Sequence, residues 1–459
     1  MRKTVFAVLF LAATLTCGYF LTRNVVGQAT RVLARNQIDF LAFYCAGKVS
    51  AVRADPYLAE PLRSCEEAAM SSLGHTYRMA PYLVVPAPLP PYALAPVSLF
   101  GFMGYRVAAT AWFVLLVAAC ALSIVLLRRL TGLSVLALFF PVLLADGLAS
   151  IIIGQIVPIV FCFVCASALA LREDKPFEAA GYGVATLLEA HIGLALCLGL
   201  FVLEPRSRRG LLIFGGLLAA LSLAYGGLEQ NVEYIARVVP AQARAEGLSF
   251  SGQYSLSALL AQTGVAASLA LVLGSLSYLF MLVIGIGMAG RLARTLADRA
   301  YVVLVPPAFV LLGGAYAHIH QMALALPLAF MLVARRSAWR PLALAALLLL
   351  AVPWQSFAEM PFFYMRLPPL PHVDVRPAMS RIADGGRLAE DEWGLWQSLP
   401  IRDRRTPLQR FETKLPTWLG LIALTVATFG LASGGAQNES QSESSEGRSR
   451  ASFRSITRA

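Results

Sequence analysis

One carboxylate, Asp39, sits among aromatics in the segment Gln37-Ile38-Asp39-Phe40-Leu41-Ala42-Phe43-Tyr44, shortly after an apolar stretch that ends near Leu21. A carboxylate in a partly apolar setting can take a proton from a hydroxyl, as a general base. Later in the chain, polar groups interrupt otherwise greasy sequence at Asp146, Gln155, Glu189, His191, His318, His320 and Gln321. Such groups are expensive at membrane depth and are functional candidates by default. Each also has a plain structural reading: Asp39 as a helix cap or solvated loop acid, the others as hydrogen-bonded packing residues.

The elements that must position these groups are membrane helices. The chain is 58% hydrophobic and only 14% charged, against about 25% charge in a soluble domain. Apolar runs of roughly 17–25 residues recur along its length, the signature of an all-α polytopic membrane protein. Candidate spans are 4–22, 106–127, 133–151, 156–171, 177–190, 192–204, 210–226, 264–288, 301–316, 320–334, 341–357 and 416–433, about twelve in all. The short pairs 177–190 with 192–204, and 301–316 with 320–334, read as helices meeting at recessed outer turns.

Charge sets the orientation. Arg128-Arg129, Arg172 with Lys175, Arg206 with Arg208 and Arg209, Arg291 with Arg294 and Arg299, and Arg335 with Arg336 and Arg340 fall in alternate connections. Basic connections belong inside, so the N-terminus is expected in the cytoplasm. Pro88 to Gly104 is apolar enough to span, but a span there would put Arg128-Arg129 outside; it is expected to lie at the outer interface, with proline starting the helix. Outer regions are then about 23–105, 227–263 and 358–415. Residues 1–433 form one transmembrane domain, and the Ser/Glu/Arg-rich stretch 434–459 is expected to be a disordered cytoplasmic tail. The first span follows Arg2 and Lys3 and resembles a signal peptide, but no cleavage site is convincing and it is expected to remain.

The net charge of +12 sits in short clusters with no interleaved stacking aromatics, which argues against nucleic acid as a partner. No GxxxxGK[ST] or strand-linked GxGxxG is present. The seven cysteines lack metal-ligand spacing, so neither a metal nor a cofactor is expected. Cys45 and Cys65 share the first outer loop, where an oxidising compartment permits a bridge.

Under this topology the polar groups gather at the outer membrane surface, which suits an enzyme acting on a lipid-borne substrate. Several short pieces, in order, resemble glycosyltransferase family 87, membrane enzymes of the GT-C class. They are Asp39-Phe40 with Tyr44-Cys45-Ala46-Gly47-Lys48, Ala54-Asp55-Pro56-Tyr57, Leu89-Pro90-Pro91-Tyr92 with Leu94-Ala95-Pro96, and Gly154-Gln155. Ala180-Gly181-Tyr182-Gly183, Gln253-Tyr254-Ser255-Leu256 and His318 follow. The resemblance implies a GT-C-like bundle in a bacterial inner or plasma membrane. It further implies transfer of a hexose, mannose among the candidates, from a polyprenyl-phosphate sugar to a lipid or glycan acceptor, with inversion. Asp39 would be the base, His191, His318, His320 and Gln155 would contact donor phosphate or sugar, and Asp146 and Glu189 would support them. One departure stands out: where the family carries Lys-Pro facing the donor phosphate, this chain reads Leu188-Glu189-Ala190-His191.

Two other classes fit parts of the pattern. A ligase or polymerase of the O-antigen type would place its dominant loop late in the chain, as 358–415 does, whereas a transporter or flippase would show repeated halves, which are absent. The topology is open to measurement. In a background without reactive native cysteines, a cysteine at position 39 should label from outside, and one at position 445 only after permeabilisation. The opposite pattern would remove the site from the outer face.

Overall fold

The computed structural model describes residues 30–74 and 84–352, apart from Val32, Glu246 and 249–252, together with Trp354, Leu408 and residues 411–433. The expected first span, the tail and most of the third outer region lie outside the described residues. Among the described residues no β-strand forms; Gln253 and His318 make an isolated antiparallel bridge.

The outer part begins with α1 (Ile38–Ala51) and α2 (Ala59–Ser72). Next comes α3 (Pro91–Ser98), which continues as a 3₁₀ turn to Phe102. The expected interfacial segment is therefore helical and starts on proline, whose missing N–H costs nothing at that position. The long α4 (Tyr105–Thr131) ends with Arg128 and Arg129 in its last turn and Gly132 at φ 70. It is followed by α5 (Val135–Val142), a π-helical run Leu143–Ile151, and α6 (Val157–Arg172). The pair α7 (Pro176–Ala185) and α8 (Ala190–Leu203) meets at a 3₁₀ turn, Thr186–Leu188.

The expected span 210–226 proves longer. Helix α9 (Arg208–Glu233) passes its boundary through a kink at Gly227, where φ is 63, a backbone setting glycine takes without a Cβ penalty. It continues through a π-helical run, Tyr234–Val238, into α10 (Val239–Ala245). The chain then forms α11 (Leu256–Gln262), α12 (Ala267–Thr295), α13 (Tyr301–Gly313), a 3₁₀ turn Ile319–Ala325, α14 (Leu326–Ala334), α15 (Arg340–Ala351) and α16 (Phe411–Ser433). Helix α16 thus begins within the last residues of the expected third outer region, 358–415.

Four helices among the described residues are long and apolar enough to cross a membrane: Tyr105–Thr131, Pro205–Arg244, Ala267–Thr295 and Phe411–Ser433. The remaining apolar helices are shorter, 10–17 residues, below the roughly 20 that a crossing needs. They are broken pieces packed against the long ones. At the centre, α13 and α14 are buried on nearly every face. The long helices turn apolar side chains outward, among them Val125, Leu217, Phe280 and Val283. In water such surface would be a liability, but in lipid it is the required coat. Close approaches use small residues: a Cβ on Gly285 of α12 would lie 3.0 Å from Phe309 Cβ on α13, and one on Gly313 would run into Met281 Cγ.

Ion pairs tie the helix ends remote from Asp39. Arg172 and Arg335 both reach Asp298, at 2.6 and 3.0 Å, and Arg206 and Arg299 reach Asp174 at 2.6 and 2.5 Å. At the other end Cys45 and Cys65 are bridged, with Cα atoms 5.6 Å apart, pinning α2 to α1. The bridge should appear as a linked peptide pair in mass spectra of unreduced protein. Cys45→Ser with Cys65→Ser should lower Tm, because a bridge closing a loop of this size contributes about 3 kcal/mol. Unlinked peptides and an unchanged Tm would show that α1 and α2 need no bridge.

Candidate functional site

Asp39 lies in the first turn of α1 and is half-buried. A helix N-terminus favours negative charge, so the carboxylate sits where the backbone supports its ionised form. Aromatic packing holds α1 in place. The Phe40 ring stacks on Trp112 at 5.0 Å and meets Phe100 edge-on at 5.7 Å, while Tyr44 lies 5.2 Å from Tyr105. The Tyr105 hydroxyl donates to Ala34 O at 2.9 Å and the Tyr44 hydroxyl to Met103 O at 2.9 Å. Gly47 lets α3 approach: a Cβ there would lie 2.9 Å from the Ser98 nitrogen.

The Gly154-Gln155 turn closes on this platform. Gly154 has φ 82, and a Cβ on it would lie 2.6 Å from Phe40 Cβ. Its carbonyl accepts from Trp112 Nε1 at 2.9 Å. The turn is thus wedged against the residue next to Asp39, and Gln155 Nε2 donates to Asp39 Oδ2 at 2.5 Å. Gln155, expected to contact sugar, therefore touches the expected base directly.

Glu189 and His191 come from the break between α7 and α8. Gly193 packs so tightly that a Cβ would lie 2.5 Å from the Leu187 nitrogen. The break leaves the Leu187 carbonyl, to which Tyr92 donates at 2.9 Å, while Tyr278 donates to His191 O in the first turn of α8 at 2.5 Å. Gln321 Nε2 donates to Glu189 Oε2 at 2.7 Å.

His318 and His320 come from the second break, between α13 and the Ile319–Ala325 turn. Ala317 N donates to Gln253 Oε1 at 2.9 Å, Tyr254 N to Ala317 O at 2.6 Å, and His318 N to Gln321 Oε1 at 2.8 Å. The His318 and His320 rings stack at 4.9 Å, 9° from parallel. Tyr316 sits beside them, 5.4 Å from His318 and 5.7 Å from His191. From α16, Lys414 Nζ donates to Gln253 O at 2.5 Å and Trp418 Nε1 to Tyr254 O at 3.1 Å, which braces the strap behind His318.

These groups converge. A cavity of about 510 Å³ is lined by Asp39, Gln155, Glu189, His191, His318, His320 and Gln321 together. Its apolar walls include Phe43, Ile153 and Leu188, and its rim includes Val85, Pro86 and Pro88 to Pro90. The volume falls within the roughly 300–1,000 Å³ of small-ligand sites. Asp146 is on the π-helical run, and its side chain lies outside the described residues. Among the described residues no group of three or more His, Cys, Asp or Glu is placed to hold a metal ion. The cavity also recruits Tyr234, Gln242 and Tyr316, with Gln242 Nε2 donating to the Tyr316 hydroxyl at 3.1 Å. None carried a sequence signal: Gln242 is one polar residue in a mixed helical stretch, and Tyr316 in an apolar turn reads as packing. Chemically, the cavity offers a carboxylate on one wall and imidazoles with a carboxamide on another.

Residues 89–312 match the sequence model of glycosyltransferase family 87. No curated protein and no solved structure matches the chain. The matched stretch holds the Leu89–Tyr92, Gly154-Gln155, Ala180–Gly183 and Gln253–Leu256 pieces, while Asp39 and His318 flank it.

The wedge at Gly154 has a measurable consequence. Gly154→Ala must both hold φ 82 with a side chain and push Phe40 aside, at a cost of about 2 kcal/mol or more. Gly104→Ala, at φ −62 with nothing within 4 Å of the added carbon, should be neutral. Thermal unfolding of the two variants in detergent checks this; equal Tm values would mean the turn is not wedged.

Proposed function

Through residues 89–312 the chain belongs to glycosyltransferase family 87, and from that premise we propose that it moves a hexose, mannose first among the candidates, from a polyprenyl-phosphate donor to a lipid or glycan acceptor at the extracytoplasmic membrane face. The observation that carries this reading is the convergence of Asp39 with Gln155, Glu189, His191, His318 and His320 around one cavity at the same end of the bundle.

In the proposed reaction Asp39 takes the proton from the acceptor hydroxyl, whose oxygen bonds to the anomeric carbon. The bond from that carbon to the phosphate oxygen breaks, and the polyprenyl phosphate leaves with the electron pair. Attack opposite the leaving group gives inversion. Gln155 donates to one oxygen of the carboxylate and so helps to fix its orientation toward the acceptor. His318 and His320 supply N–H donors for the phosphate or sugar hydroxyls. Glu189 is held by Gln321, in the stretch where the resemblance expects a lysine facing the donor phosphate. This acid is better suited to sugar hydroxyls, and phosphate contact falls to the histidines and Gln321. A lipid-linked donor is favoured because the chain has no nucleotide-binding motif. The basic connections also direct the opposite end of the bundle to the cytoplasm, where nucleotide sugars are made.

Purified protein supplied with radiolabelled polyprenyl-phosphate hexoses and membrane extract should transfer label, and should not do so from nucleotide sugars. Asp39→Asn should lower kcat at least about 10²-fold with normal expression. His318→Ala should raise KM for the donor or lower kcat. Efficient transfer from a soluble nucleotide sugar, or wild-type kinetics in Asp39→Asn, would overturn the assignment.

A further inference from the structure

A second cavity, also about 510 Å³, opens at the end of the bundle remote from Asp39. Trp112, beside the candidate site, and Thr131, on the second cavity's wall, share helix α4. At 1.5 Å per residue they are separated by about 28 Å, close to the thickness of a bilayer's hydrocarbon core. The two cavities are therefore about one hydrocarbon-core thickness apart along α4.

Its charged lining is unbalanced. Arg172, Arg299 and Arg335 face it, with Asp298 as the acid among the lining residues. Arg172 is fully engaged: Nε and Nη2 bond Asp298 at 3.2 and 2.6 Å, and Nη1 donates to Leu130 O. Arg299 is drawn off to Asp174 and Glu204. Arg335 differs. It shares Asp298 through Nη2 alone, at 3.0 Å, and lies beside the Tyr301 hydroxyl with 39% of its side chain exposed. Here a second guanidinium is added to a satisfied carboxylate, and part of its planar fork is left toward an open cavity. That fork matches the geometry of phosphate oxygens. The other wall is apolar, with Leu171 and Met331.

We propose that this cavity binds a phosphate-bearing anion through Arg335, the lining arginine that is least engaged by acids. The apolar wall and the spacing favour the headgroup of an anionic phospholipid, since basic pockets between membrane helices suit such groups. Free phosphate carries the same chemistry. The site is separate from the Asp39 cavity and does not depend on the reaction proposed there.

The test uses the full chain, delipidated in detergent. Native mass spectrometry compares retention of dioleoylphosphatidylglycerol with dioleoylphosphatidylcholine, and a thermal melt measures the shift with inorganic phosphate at constant ionic strength. Wild type should retain phosphatidylglycerol over phosphatidylcholine. Arg335→Gln should weaken that binding about tenfold, the share of one charge-assisted contact. Arg209→Gln, an exposed arginine on the same face outside the cavity, should leave it unchanged. Stabilisation by inorganic phosphate without lipid preference, lost in Arg335→Gln, would assign a free phosphate to the same site. Arg335→Lys keeps the charge beside Asp298 and serves if the glutamine variant does not fold; losing the fork should still weaken binding several-fold. Absence of both ligands from wild type, or equal weakening by Arg209→Gln and Arg335→Gln, would overturn the site. So would wild-type affinity in whichever Arg335 variant folds.

Discussion

A helix broken among apolar neighbours strands backbone N–H and C=O groups that neither lipid nor hydrocarbon side chains can satisfy. The architecture around Asp39 depends on how this chain meets that constraint. At the break before α8, the Tyr92 hydroxyl caps the Leu187 carbonyl, and Tyr278 braces the first turn of α8 through His191 O. At the break after α13, the Gln253 carboxamide takes the Ala317 N–H, and Gln321 takes that of His318. At the Gly154 turn, the Trp112 indole caps the carbonyl. Most of these repairs bring in a polar side chain from another helix, the Gln321 contact being local to its own turn, and the breaks border one cavity. The polar cavity and the structural repair are built from one connected set of residues.

This coupling explains why Gln321 recurs. Its Oε1 accepts from the His318 backbone while its Nε2 donates to Glu189. One carboxamide thus joins the two breaks and fixes a carboxylate relative to the histidine pair. Gln155 does the same for Asp39 on the opposite wall. A buried polar network of this type is tolerable only when its members have partners, and when they do it is rigid. Rigidity is what a transfer site needs, since misplacement by about 1 Å can cost 10²-fold in rate.

The two ends of the bundle solve different electrostatic problems. Near Asp39, neutral donors and rings dominate, and the disulfide ties α1 to α2. At the other end, arginines from separate connections converge on Asp298 and Asp174. The first arrangement shapes a cavity, and the second ties helix ends together.

Composition and apolar run length determined that the chain is a helical membrane protein, because only internally hydrogen-bonded helices of such hydrophobicity suit lipid. The break points at Glu189 and near His318 were also legible, since polar residues and short apolar segments coincide there. So was the gathering of Asp39, Gln155, Glu189, His191, His318 and His320 at one place, because isolated polar residues in greasy sequence are conspicuous. Tertiary structure alone decided their partnerships. That Gln155 reaches Asp39, 116 positions away, follows from a glycine at φ 82 wedged on Phe40, and a glycine's handedness is not written in hydropathy. Tyr234 and Gln242 joined the cavity because the long helix α9 runs on past Gly227 into α10 and carries its far end over the site, where Gln242 meets Tyr316 of the break after α13. Where that end falls depends on one kink angle, which local sequence leaves open and packing against neighbouring helices settles.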